Sequence, residues 1–242
     1  MIGKARVNLR PAVEAGIGFT VILLAWEYGT ALVRIPDYVL PVPSAILRRF
    51  WETFAVQAQH LGATATTTLA GLVLALVVGI LLALAAFNSI PKIAIAPLFI
   101  IWFGLGMEPK ILLAFLLALF PIFVNSVTGM GEIEPDILDL ARLAGGTELR
   151  IFTKVRLMNA VPYITDALKV AFPLALVGSI VGEFIGGNYG VGYLILSGQF
   201  NLDTPLVFAC LLSITLFTTV VIGLVVLVEW LFLAWRPSRR VR

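Results

Sequence analysis

Glu183 sits in VGSIVGEFIGG, an acid within an apolar run, where a charge is costly and marks either a transport path or a pairing site. Two roles fit it: a gate or cavity position, or a carboxylate that hydrogen-bonds the adjoining glycine turn and fixes structure alone. Asn125, Ser126 and Ser179 are small polar groups in apolar surroundings, which either bridge helices or face water. For all three, helix packing is preferred over solute contact. Asp166 and Lys169 stand three apart, the spacing of an ion pair on one helix face. Thr64, Thr66, Thr67 and Thr68 read as groups that satisfy backbone near an interface. The order G-G-x-x-G-x-G at Gly186, Gly187, Gly190 and Gly192 follows an apolar helix and not a strand, so it reads as a re-entrant bend and not as a phosphate turn. Cys210 and His60 are the only cysteine and histidine. An intrachain disulfide is thereby excluded, and a His/Cys metal site or a Cys/His nucleophile pair would lack ligands. No G-x-x-x-x-G-K-[ST] occurs, so the chain has no P-loop cradle for nucleotide phosphates.

These residues are embedded in a chain that is 60% hydrophobic and 13% charged over 242 residues. Its mean hydropathy of +1.02 is that of a membrane protein. Apolar runs long enough to cross about 30 Å of hydrocarbon recur along it. They predict six helices, over about 14–34, 61–87, 91–105, 110–128, 161–185 and 205–235, with both termini on one side. Placing the N-terminus in the cytoplasm puts thirteen of the seventeen basic residues inside, from Lys4, Arg6 and Arg10 to the arginines after 235. Only Arg34, Arg48, Arg49 and Lys110 fall outside, and the outer loop near 186–204 holds no basic residue. This distribution orients a membrane protein and leaves no basis for nucleic-acid binding. Lys4, Arg6 and Arg10 precede an apolar stretch containing Trp26 and Glu27 and no small-residue cleavage site, so the first helix reads as retained.

Between the first two spans, PSAILRRFWETF has helical apolar spacing, with Pro43 and Ser44 as a start signal, and reads as an amphipathic helix at the outer interface or an ordinary solvated one. Pro97, Pro121 and Pro173 fall inside predicted helices, as kinks that permit rearrangement or as static bends. From Gly71 to Ile101 the only polar break is FNSIPK, so either two helices reverse within a tight turn at 88–91 or a stretch of the native chain is absent near position 86.

One cytoplasmic stretch, about 130–160, is too polar to span and too patterned to be a plain linker. In EIEPDILDLARLAGGTELRIFTKVRLMNA, Ile133, Ile137, Leu140, Ala141 and Ala144 recur at helical spacing with acids early in the helix. Gly145 and Gly146 stop that helix, and Thr147 caps a second one from Glu148 to about Leu157, with Ile151, Val155 and Met158 on its apolar side and Arg150, Lys154 and Arg156 exposed. A projecting helix-turn-helix of this kind suits docking into another protein's groove.

The stretch resembles the EAA loop of inner-membrane permease subunits of binding-protein-dependent ATP-binding-cassette importers. That loop runs Glu-Ala-Ala, three residues, Gly, nine residues, Ile, one residue, Leu-Pro. Asp139, Leu140 and Ala141 stand at the first three places, Gly145 at the glycine, Val155 at the isoleucine, and Leu157 and Met158 at the last pair. The spacing holds without a gap, with Asp for Glu, Leu for Ala, Val for Ile and Met for Pro. IPKIAIAPLFIIWFGLG, LFPIFVN, VGEFIGGNYGVGYLIL and LDTPLVFACLL are similar to the nitrate, sulfonate and taurine group, and the resemblance covers residues 14–235. In that group the loop before the IPK motif is about a dozen residues longer.

The resemblance implies one all-α membrane domain over residues 1–242, with the MetI-like fold of type I importers, in a bacterial inner membrane. It implies a second copy of the chain, two cytoplasmic subunits that bind ATP and Mg²⁺, and a periplasmic or lipid-anchored binding protein. Asp139, Ala141, Arg142, Gly145, Gly146, Arg150, Val155 and Leu157 would carry coupling to the ATPase. Asn125, Ser179 and Glu183 are candidates for the path or gate. The chain itself would be a transport subunit without cofactor, metal or catalytic residue, moving a small, anionic or aromatic-acid solute. An ion-gradient carrier using Glu183 alone is the competing class. A membrane enzyme is disfavoured, because no cluster of His, Cys and carboxylates converges on one face.

Overall fold

The computed structural model describes residues 10–85, 104 and 106–232, and every regular element among them is helical. In chain order these are α1 (Arg10–Val33), α2 (Pro43–Glu52), α3 (Phe54–Ala85), α4 (Met107–Gly131), α5 (Pro135–Leu143), α6 (Glu148–Ile151), a π-helical turn (Phe152–Arg156), α7 (Leu157–Gly186), α8 (Val191–Phe200) and α9 (Thr204–Phe232). Five stretches are long and apolar enough to cross a membrane: Glu14–Val33, Phe54–Ala83, Met107–Gly131, Glu148–Gly186 and Thr204–Leu231. The helix expected over 91–105, with Pro97 and the turn at 88–91, lies outside the described residues.

Helices α3, α4 and α7 form the centre, packed through Leu72 and Ala75, through Ala114, Ala118 and Ile122, and through Ala167, Ala171, Phe172 and Ala175. Lipid offers no hydrophobic drive for helix association, so close approach of small residues supplies the attraction. A Cβ on Gly71 would lie 2.5 Å from that of Ala114, and one on Gly178 would lie 2.6 Å from the Leu113 carbonyl oxygen. The register follows from these contacts. Gly71 meets Ala114 and Gly79 meets Ile122, so α3 and α4 run parallel; Gly178 meets Leu113 and Gly129 meets Ala160, so α7 runs antiparallel to α4.

Two ends result. Near Glu183 lie α2, the starts of α3, α4 and α9, and α8; near Gly145 lie α5, α6 and the end of α9. Lys169 of α7 bonds Asp166 at 2.9 Å, the pair its spacing predicts, and also Glu229 of α9.

The structure corrects three expectations. The amphipathic helix begins where Pro43 predicts, but Val42 is its N-cap. Ser44 is held from outside: its N–H and hydroxyl donate to the Glu27 carboxylate of α1 at 3.0 and 2.6 Å. The outer stretch after Gly187, expected as loop, contains α8, which buries Val191, Leu194 and Ile195 against α3 and Cys210 of α9. Finally, the second cytoplasmic helix does not end near Leu157. It passes through the π turn into α7, so one rod of 39 residues runs from Glu148 to Gly186. Pro162 is accommodated within it, as Pro121 is within α4.

The packing makes a prediction. Gly178→Val must push backbone aside, an overpacking cost of about 1–3 kcal/mol, and should lower the thermal midpoint in detergent by several degrees. Gly62→Ala, which meets nothing within 4 Å, should hold or slightly raise it, because alanine is the better helix former. Equal midpoints for the two variants would refute the close α4–α7 contact.

Candidate functional site

At the Gly145 end, α5 projects with no residue buried. It closes as glycine chemistry dictates. Gly145 has φ +76° in the left-handed region, while the Gly146 N–H reaches back to the Ala141 carbonyl at 3.0 Å and the Gly145 N–H to that of Arg142 at 3.0 Å, which is a Schellman closure. Thr147 then caps the next helix by accepting the Arg150 N–H at 3.4 Å. Arg142 spans the turn, 3.4 Å from Asp139 and 3.5 Å from Glu148. Ile151 is buried and anchors the knob, Val155 and Leu157 are half-buried, and Asp139 and Arg150 are exposed.

The apolar face predicted for α5 is therefore unpartnered in the single chain: Ile137 and Leu140 are exposed. Leu143, at 86% exposure, and Leu149, at 73%, extend it, and neither was part of the face the periodicity predicts. At its base the knob is tied to α4, where Asn159 donates to the carbonyls of Gly129 and Glu132 at 2.7 and 3.0 Å and Tyr163 bonds the Glu132 carboxylate.

At the opposite end, α8 starts with three N–H groups that no preceding helical turn can accept. Each has an acceptor from another helix. The Gly190 N–H meets His60 Nδ1 at 3.1 Å, the Val191 N–H meets Thr64 Oγ1 at 2.8 Å, and the Gly192 N–H meets Glu183 Oε2 at 2.7 Å. The other Glu183 oxygen accepts the Thr64 hydroxyl at 2.8 Å. Gly190 has φ +123°, and a Cβ there would collide with the Glu183 carboxylate. Lys110 of α4 donates to the Tyr189 carbonyl at 3.0 Å, and the His60 ring stacks on Tyr189 and Tyr193.

Glu183 is thus 1% exposed and engaged by the glycine turn. Ser179 bonds Thr67 between α7 and α3, and Asn125 donates to the Pro121 carbonyl at 2.8 Å within its own helix. All three path candidates have protein partners in the single chain, and the turn and α3 bring Glu183 and Ser179 together while Asn125 lies nearer the other end. Thr66 and Thr67 bond carbonyls of α3 as expected, whereas Thr64 does more. Thr64 satisfies backbone as expected, but of α8 and not of its own surroundings alone, and His60 is the residue that sequence reasoning missed. Their signal is a polar stripe on α3 at helical spacing, Gln57, His60, Thr64 and Thr67, ending at Gly71.

A second belt closes this end. Arg49 of α2 pairs with Asp203, which also accepts the Leu206 N–H at 3.1 Å and so caps α9. The hydrogen bond that Arg49 donates to Asp203 raises the Arg49 pKa above its ordinary value. Gln57 bonds Ser213, and Thr204 donates to the Tyr38 carbonyl at 2.6 Å.

Residues 80–230 match the family of binding-protein-dependent transport system inner membrane components. The chain is 31% identical to the riboflavin transport system permease protein of Chloroflexus aurantiacus, over 94% of this chain and 92% of that one. It is 31% identical to the formylaminopyrimidine transport permease protein of Halalkalibacterium halodurans, over 94% and 98%. With the putative aliphatic sulfonates transport permease protein of Bacillus subtilis it shares 29%, over 90% and 86%.

Thr64→Val should strand the Val191 N–H and one carboxylate oxygen, costing about 1–3 kcal/mol. Hydrogen exchange should accelerate at the start of α8, and Thr64→Ser should restore protection. Unchanged exchange in the valine variant would mean that this bond holds nothing.

Proposed function

The chain belongs to the family of binding-protein-dependent transport system inner membrane components, and we propose that two copies of it frame a solute path coupled to ATP hydrolysis through the Gly145 knob. It is a multi-pass inner-membrane permease subunit of an ATP-binding-cassette importer, a transport subunit and not an enzyme. Family membership implies ATPase and binding-protein partners; in this reading the ATPases number two, and they hold the ATP and Mg²⁺.

Six crossings with both termini in the cytoplasm fit the parallel run of α3 and α4. The end of α3 and the start of α4 are at opposite ends of the bundle. The Gly145 end is then cytoplasmic, in keeping with Arg142, Arg150, Lys154, Arg156 and Lys169, and the Glu183 end faces the binding protein.

The observation that carries the coupling role is the exposed apolar face of Leu140, Leu143 and Leu149 on a knob continuous with a membrane span. An ATPase groove that covers it would move α7 as nucleotide-driven closure shifts the population of outward and inward states. Asp139, Ala141, Arg142, Gly145, Gly146, Arg150, Val155 and Leu157 shape and hold this face. Glu183, with Ser179 behind it, keeps the outer turn closed; Asn125 sits on the α4 wall.

In this reading the solute is small and anionic or heteroaromatic, and relatives named for riboflavin, formylaminopyrimidine and sulfonate transport support it. Lys110 and Lys169 both have carbonyl or carboxylate partners, so selection belongs to the binding protein and the path is a weakly binding conduit.

Leu140→Glu with Leu143→Glu should abolish co-purification with the ATPase and ATP-driven uptake while leaving the thermal midpoint within about 2 °C, since both sites are exposed surface. Gly145→Val, strained by about 1–2 kcal/mol in the left-handed conformation, should uncouple hydrolysis from uptake. Normal assembly and uptake in both variants would refute the docking face. Sidedness has its own check, because Cys210 is buried: a cysteine at Leu143 should label only from the cytoplasm and one at Asn188 only from outside.

A further inference from the structure

His60 Nδ1 lies 3.1 Å from both the N–H and the carbonyl oxygen of Gly190, and it can donate to one or accept from the other, not both. Hydrogen-bond bookkeeping decides between them. The Gly190 carbonyl already receives the Leu194 N–H at 3.2 Å, whereas the Gly190 N–H has no other acceptor among the described residues. Nδ1 is therefore the acceptor, and the ring proton is on Nε2. The ring is held in that position by its stack on Tyr189, with centroids 4.4 Å apart and planes 17° apart, and on Tyr193 at 5.8 Å and 13°.

We propose that His60, as its neutral Nε2–H tautomer, is a positioning residue of the outer turn, and that a proton on Nδ1 releases that turn. The proton would set N–H against N–H at the first donor of α8; Nδ1–H could then donate only to the Gly190 carbonyl, and the Gly190 N–H would be left unsatisfied in a buried site. Among the described residues the Gly190 N–H has no hydrogen bond other than the one to Nδ1. Glu183 of α7 has both oxygens engaged, by Thr64 and Gly192. Lys110 of α4 is a donor, already on the Tyr189 carbonyl. On the turn and α8, the Tyr189 and Tyr193 rings meet the imidazole through their faces; α9 contributes the buried thiol of Cys210 and Asp203, which is bound to Arg49 of α2. Once the turn is open the ring takes up its proton at about pH 6.5, as an ordinary histidine does, so opening is favoured below that value.

This rests on the reading of the Glu183 end as the outer closure, and the two can be tested apart. The assembled complex of chain and ATPase in nanodiscs is compared with its His60→Asn variant by hydrogen exchange at about pH 7.5 and about pH 5.5. Asparagine Oδ1 accepts the Gly190 N–H and does not titrate, and pairing at equal pH cancels the intrinsic exchange rate. At the higher pH, residues 187–194 should be equally protected in both proteins. At the lower pH the wild type should exchange about ten-fold faster than the variant. Equal exchange at both pH values overturns the proposal, and so does loss of protection in the asparagine variant at both. His60→Ala, if it folds, should be unprotected throughout, and full protection in it would also overturn the proposal. ATP hydrolysis by the same samples addresses the closure separately: an exchange difference without any pH-dependent difference in hydrolysis would leave the His60 assignment standing and remove the gate role.

Discussion

A helix that begins at or inside a membrane presents N–H groups that lipid cannot satisfy, and the arrangement of this chain depends on how that demand is met. Three carboxylates meet it. Glu27, in the first span, takes the N–H and hydroxyl of Ser44 at the head of α2. Glu183 takes the Gly192 N–H at the head of α8, and Asp203 takes the Leu206 N–H at the head of α9 while pairing with Arg49. Anions are favoured at these positive helix ends, which is why acids persist in surroundings that otherwise exclude charge. Each cap also joins elements distant in sequence, so the caps at one end of the bundle serve as its tertiary connections.

The other end is built on the opposite plan. There the helix termini are satisfied locally, by the Schellman closure at Gly145 and the Thr147 cap, and no residue of α5 is buried. Local closure leaves a preformed shape with an apolar face free for a partner. The contrast explains what was legible in the sequence. The knob could be read residue by residue, because its turn is set by neighbours in the chain: Gly145 at the stop, Thr147 at the restart, Asp166 and Lys169 at pair spacing.

The Glu183 end resisted the same reading because its partners come from different helices. Glu183 suggested a cap of the glycine turn, yet His60 and Thr64 looked like an isolated histidine and an interfacial threonine, since their function exists only once α3 lies beside α8. Helix α8 was hidden for a related reason. Its apolar residues follow closely spaced glycines that suggest a bend, and it is stabilised by burial against α3 and α9 more than by any local stop or start. The continuity of α6 with α7 was concealed by Pro162, a helix breaker by local rules. A single π turn lets the helix shift phase before the proline, so the rod continues.

That rod, about 60 Å long at 1.5 Å per residue, joins the knob to the glycine turn. Its contacts leave little room to bend. Gly178 and Gly182 bring it against the α4 backbone near one end, and Ala160 meets Gly129 near the other, with alanines between. Displacing the knob relative to α4 must therefore either break the Asn159 and Tyr163 ties at its base or carry α4 along. In the second case α4 and α7 move as one body, and Lys110 and Glu183 travel together at the far end, each holding part of the glycine turn. The remaining attachments of that turn, His60 and Thr64, belong to α3. Relative motion between α3 and the α4–α7 pair is then the displacement that would open the turn, and the hydrogen bonds from α3 to Gly190 and Val191 are where it would begin.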